Sequence, residues 1–221
     1  YRREAYAEFS IPTGQRYKPF TARIPGDFSS ATFFAVAAAV TGSRLRLLGL
    51  DIRDSQGDKQ AFEILQQMGC RVEPVEGGLE IIGPQEGALR GGEFDLNSIP
   101  DALPALAVAG CFSSQRVFLG NVPQARQKET DRIAVMSEEL RKLGADIEER
   151  EDGIVIKGGT SRGLRGGEVC GHGDHRVIMA MASAALAADG PVSIDETDAA
   201  AVTFPTFFTL LEETGSRIDL H

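Results

Sequence analysis

The chain has 221 residues, enough to bury a substantial core as one domain or two small ones. Its composition is that of an ordinary globular protein lacking Trp, and a formal charge of -9 argues against nucleic acid and anionic membrane as partners. No apolar run is long enough to span a bilayer, and Cys70, Cys111 and Cys170, odd in number and in no CxxC spacing, read as reduced thiols of a cytoplasmic protein.

Tyr1 stands where a Met would open a natural chain, and Glu8 to Pro12 reads as the end of a strand whose partners are missing. Residues 1–20 are therefore expected to be a strand and linker continuing from an absent N-terminal half. Pro25-Gly26-Asp27 turns into cap-type Ser29 and Ser30, then an apolar run to Val40 that predicts a buried helix ended by Gly42. Arg44 to Leu50 alternates like a strand, Gln60 to Met68 is an amphipathic helix stopped by Gly69, and two short strands flank Gly77-Gly78.

The same order then recurs. Pro100-Asp101 opens an apolar helix through Gly110, Val117 to Leu119 is a strand, Arg132 to Leu143 is a helix ended by Gly144, and paired strands surround Asp152-Gly153. A third copy runs from Asp174 through a helix at Val177 to Ala188, a strand at Val192 to Ile194, a helix after Pro205, Gly215, and a strand at Arg217 to Leu220. Asp27, Asp101 and Asp174 are 74 and 73 residues apart, and Gly69, Gly144 and Gly215 are 75 and 71 apart. The expected fold is α/β of the α+β kind: three βαβαββ repeats, about 22–90, 91–165 and 166–221, in one domain over residues 21–221. Their apolar helices pack together inside a ring of sheets. The third copy stops one strand short, and a strand from elsewhere in a longer protein is expected to complete it.

The charges gather at helix starts. Thr130 reads as an N-cap, which puts Lys128 and Glu129 in the preceding loop and Arg132 in the first turn. Cations there oppose the macrodipole and repel each other, and a bound anion relieves both penalties; the plainer reading is a solvated helix start. Asp at the start of an apolar helix is usually a cap, and threefold recurrence favours that role. Asp101 is the best functional candidate, since its loop shares a repeat with Lys128. Asp174-His175-Arg176 adds a second ionisable group, with His175 the His best placed for proton transfer. Cys170 to His175 lacks the second Cys/His cluster a zinc needs, so no metal is expected. With no P-loop and no GxGxxG after a strand, no cofactor is expected either. Three cations, two acids and a His suit proton transfer on a polyanionic small molecule.

Taken together, Pro25-Gly26-Asp27-Phe28-Ser29-Ser30-Ala31, Lys128-Glu129-Thr130-Asp131-Arg132, Asp174-His175-Arg176 and Thr203-Phe204-Pro205 resemble the enolpyruvyl transferase family over nearly the whole chain. The second and third motifs favour the branch acting on shikimate 3-phosphate, a step of aromatic amino-acid biosynthesis, over the branch acting on UDP-N-acetylglucosamine. The resemblance implies a metal-free addition and elimination: the 5-hydroxyl of shikimate 3-phosphate adds to C2 of phosphoenolpyruvate as C3 is protonated, and phosphate then leaves. It further implies that Asp101 takes the hydroxyl proton and touches the shikimate ring, and that Glu129 handles the methylene proton. Lys128 and Gln124 match contacts to shikimate 3-phosphate, Arg132 and Arg176 match groups that hold phosphoenolpyruvate, and His175 matches a position near the reacting phosphate. The family usually has a Lys where Val202 stands, and no Lys or Arg occurs from Glu196 to Ser216. The family also implies an N-terminal partner domain across a cleft. The rival of another class is a non-catalytic repeat domain that binds an anion or a partner protein.

Overall fold

The computed structural model describes residues 2–4, 7–85, 88–158 and 163–219. A short antiparallel hairpin opens it, β1 (Arg2–Glu4) with β2 (Glu8–Ser10). The strand end expected to lack partners thus finds one locally, because folding back satisfies some of its backbone groups. Residues 11–27 carry no regular secondary structure.

In the first repeat, Asp27 caps α1 (Phe28–Thr41), accepting from the Ser29 and Ser30 amides, and Gly42 ends it in the left-handed region at φ 64°. There follow β3 (Arg44–Leu48), a 3-10 turn (Gly57–Lys59), α2 (Gln60–Gln67), β4 (Arg71–Val75) and β5 (Gly78–Ile82). Their sheet is antiparallel in the order β3-β5-β4.

The second repeat is the complete one. It comprises β6 (Gly92–Asp95), a 3-10 turn (Pro100–Ala102), α3 (Leu103–Cys111), β7 (Val117–Gly120), a 3-10 turn (Pro123–Gln127), α4 (Arg132–Lys142), β8 (Ile147–Arg150) and β9 (Gly153–Ile156). The sheet order is β6-β7-β9-β8, with β6 and β7 parallel and the other neighbours antiparallel. The third repeat has β10 (Arg165–Cys170), α5 (His175–Ala185), β11 (Asp189–Asp195), α6 (Ala200–Thr203) and α7 (Phe207–Glu213), with β10 and β11 parallel.

The βαβαββ pattern therefore holds in full only once. Among the described residues, the first repeat lacks its leading strand and the third lacks its closing pair. Residues 216–219 form no strand where Arg217 to Leu220 was expected to, since no neighbouring strand pairs with them, and Leu220 and His221 lie outside the described residues. No helix among those described is long and apolar enough to cross a membrane.

The core is the mutual packing of α1, α3 and α5. All nine residues of α3 are buried, which explains why its sequence has no polar face. Ala35, Ala38, Ala105, Ala109, Ala180 and Ala184 are almost fully buried and allow the helices to approach closely. Phe207 of α7 seals α1 from outside, edge-on to Phe33 and Phe34 at 6.4 and 5.4 Å between ring centres. Leu106, fully buried on α3, belongs to this core. Leu106→Ala should cost about 3 kcal/mol of unfolding free energy in urea. A loss below about 1 kcal/mol would contradict a close-packed core.

Candidate active site

The three repeat-related aspartates stand at the starts of the three core helices, but they do not play one part. Asp27 accepts from the Ser29 and Ser30 amides at 3.2 and 2.9 Å, and Asp174 accepts from the Arg176 amide at 2.9 Å, as caps do. Asp101 caps nothing, because the 3-10 turn in which it sits begins at Pro100 and turns its side chain elsewhere. Its Oδ1 lies 3.1 Å from Lys128 Nζ and 2.9 Å from Arg132 Nη1, and its Oδ2 lies 3.4 Å from Arg176 Nη2. Three cations face one carboxylate.

Arg132 joins this group to the third repeat. Its side chain is 1% exposed and grips Asp174 with Nε at 2.8 Å and Nη2 at 3.1 Å, while Nη2 also reaches Glu129 at 2.5 Å. Thr130, the expected cap of α4, instead donates its hydroxyl to Asp174 at 3.0 Å. The cap is Asp131, which accepts from the Ala134 amide at 3.0 Å. Arg176 completes the ring, donating to Ser29 Oγ at 2.6 Å across repeats. Helix starts from all three repeats thus meet.

Electrostatics set the protonation states. Burial pushes the Asp101 carboxyl up, but Arg176, Lys128 and Arg132 outweigh it and hold it below the ordinary 3.8 of an aspartate. Asp174 is likewise pushed up by burial and pulled lower overall by Arg132, the Arg176 amide and Thr130. His175, nearly buried at the start of α5, titrates below its ordinary 6.5 because of burial and the Arg176 charge, so it is neutral at pH 7. Asp58 moves the other way, raised by burial and by Asp101 and Asp27.

Asp101, Lys128, Glu129, Arg132 and Arg176 are therefore brought together. Gln124 is not bonded to them: its amide donates to the Asn97 carbonyl at 2.9 Å. Ser29, Asp58 and Arg126 were missed. Arg126 spans the loop before α4, reaching Asp131 at 2.7 Å, Glu149 at 2.8 Å and the Glu151 carbonyl at 2.9 Å, and so fixes the loop that carries Lys128 and Glu129. Its position two residues before Lys128 was the available signal. Asp58 offered none, since only the fold brings it near Asp101.

Residues 2–211 match the protein family described as EPSP synthase (3-phosphoshikimate 1-carboxyvinyltransferase). The chain belongs to the EPSP synthase family. It is 52% identical over 218 residues to the 3-phosphoshikimate 1-carboxyvinyltransferase of Acetivibrio thermocellus, covering 99% of this chain and 50% of that protein. It is 48% identical over 220 residues to that of Ruminiclostridium cellulolyticum, covering 100% of this chain and 51% of that one. A solved EPSP synthase from Acinetobacter baumannii superposes with a TM-score of 0.74 at 33% identity, over 86% of this chain and 46% of that one. An enolpyruvyl transferase from Streptomyces tendae shares the fold, with a TM-score of 0.67 at 20% identity over 89% of this chain and 44% of that one. The chain spans about half the length of the curated relatives it matches. Within this family member, Val202 lies on α6 and is 80% exposed.

Arg132 is the group on which a stability test bears. In the wild type, the lowered values of Asp101 and Asp174 stabilise the fold above the ordinary carboxylate pKa, and that stability is lost as pH falls through the lowered values. Arg132→Met leaves Asp174 buried without its cation, which should cost about 3–5 kcal/mol at pH 7. Burial then pushes the Asp174 carboxyl above the ordinary 3.8, so the variant should regain stability as pH falls from neutral toward that raised value, whereas the wild type loses stability only below 3.8. Urea titrations at several pH values measure both, and parallel pH profiles would refute the assignment.

Proposed function

We propose that this chain forms one wall of the active site of a cytoplasmic 3-phosphoshikimate 1-carboxyvinyltransferase, which transfers the enolpyruvyl group of phosphoenolpyruvate to the 5-hydroxyl of shikimate 3-phosphate and releases phosphate. The observation that carries this reading is the Asp101 carboxylate held among Lys128, Arg132 and Arg176, with Glu129 beside it. Asp101 is kept ionised at neutral pH and so can accept the hydroxyl proton as oxygen attacks C2. Glu129, with its side chain 49% exposed, delivers a proton to C3 and takes one back as phosphate leaves. Lys128 and Gln124 hold the phosphorylated acceptor, Arg176 and Arg132 hold phosphoenolpyruvate, and His175 stands near the phosphate that departs.

Carboxylates take four of the five N–H donors of Arg132, so it can grip phosphoenolpyruvate with two donors only when one of those carboxylates yields. Glu129, the most exposed of the three, is the one with room to move. The opposite wall is an N-terminal domain, which supplies the remaining contacts to both substrates. Each charge-assisted contact is worth roughly 1.5–3 kcal/mol, so this chain by itself binds ligand weakly and does not turn over.

The test pairs this chain with the N-terminal half of the Acetivibrio thermocellus relative and follows phosphate release. Release should require both substrates and fall roughly 100- to 10,000-fold with Asp101→Ala or Glu129→Ala. Turnover that survives either change sinks the assigned roles, and binding of UDP-N-acetylglucosamine in place of shikimate 3-phosphate moves the chain to the other branch.

A further inference from the structure

One fully buried acid lies outside the group described above. Glu139 sits on α4 seven residues after Arg132, about two helical turns on and so on the same face. Its side chain is 0% exposed. Its Oε2 accepts from the Cys170 amide at 3.0 Å, and its Oε1 lies 2.7 Å from His172 Nε2 and 2.8 Å from Lys142 Nζ. Burial pushes this carboxyl up, but His172, Lys142 and the Cys170 amide outweigh it and keep it below its ordinary value. An ionised carboxylate only accepts, so His172 Nε2 carries the hydrogen that points at it.

Two of these partners, Cys170 and His172, belong to the tight turn just before Asp174. His172 adopts a left-handed φ of 52°, uncommon for residues other than Gly although His takes it more readily than most, and its ring bond to Glu139 ties the turn to α4. The Asp174 amide closes the turn onto the Gly171 carbonyl at 3.0 Å. Beyond the turn, Asp174 meets Arg132 and receives the Arg176 amide. Helix α4 therefore grips this turn at both ends, Glu139 at Cys170 and His172, Arg132 at Asp174.

We infer that Glu139 is a positioning residue: it fixes the turn from Cys170 to Gly173 and so sets where Asp174 and Arg176 stand in the site. A buried charge is costly unless it is paired and hydrogen-bonded, and two of the three groups that satisfy this one, the Cys170 amide and His172, belong to the turn rather than to α4. Its effect on substrate rests on the proposed function, whereas its effect on Arg176 does not.

The experiment compares Glu139→Gln, Glu139→Ala and the milder His172→Asn with Glu138→Gln, an exposed neighbour that shares Lys142. Amide exchange at Cys170 should quicken roughly tenfold or more in the Glu139 variants, and the Arg176 Nε–H resonance should shift or broaden in all three while Glu138→Gln leaves both unchanged. When the chain is paired with an N-terminal half, KM for phosphoenolpyruvate should rise roughly 10- to 100-fold while that for shikimate 3-phosphate stays within about twofold. An unaltered Arg176 signal in the folded variants overturns the inference, as does an equal rise in both KM values. Absence of turnover in the wild-type pair counts against the proposed function alone, because the Arg176 signal still decides the role of Glu139.

Discussion

A guanidinium with 1% of its side chain exposed, bonded to carboxylates from three separate stretches of chain, is what the rest of the site depends on. Arg132 starts α4, yet its firmest partner, Asp174, comes 42 residues later, at the start of α5. Burying one cation against Asp174, Asp101 and Glu129 leaves a local excess of negative charge, which Lys128 and Arg176 offset around Asp101. Such an assembly contributes little net stability compared with a hydrophobic replacement, but losing one member is costly. Its effect is to tie the start of α4 to the start of α5 and to Asp101 before α3 through short ion pairs.

The chemistry follows from one repeat breaking the pattern of the others. Asp27 turns both oxygens to backbone amides, and Asp174 caps the Arg176 amide with one oxygen while both meet Arg132. Pro100 and the 3-10 turn release Asp101 from that duty, and three cations keep it ionised. The same scaffold thereby holds two acids that cap helices and one that faces side-chain cations alone.

Much of this was readable in the sequence, and the gaps have physical reasons. Helix limits were legible because Gly42 and Gly144 mark left-handed stops and because apolar runs define the core. The leading strands β6 and β10 were not, as Gly92, Gly166 and Gly167 hide any alternation and only pairing with β7 and β11 makes them strands. Thr130 and Asp131 have similar capping power, and what separates them is Asp174, which draws the Thr130 hydroxyl away. The charged motif was expected to be an anion site, and the structure shows an internal knot of ion pairs, because the sequence lists cations and acids without saying which neutralise one another. Asp58 and Ser29 enter the site from the first repeat through contacts that span the chain.

The unequal completeness of the three sheets bears on how the molecule behaves in solution. Among the described residues, β3 and β11 each leave a row of backbone donors and acceptors unpaired, the geometry on which a second chain can template itself. The residues along them oppose that. Arg44 and Arg46 put charge on β3, while Asp189 and Asp195 bracket β11 and Pro191 removes one of its donors. Like charges along each edge oppose its stacking on a second copy of itself, although Glu80 lies beside both arginines of β3 and offsets part of their charge. Salt screens that repulsion, so raising the ionic strength removes part of what opposes pairing of these edges.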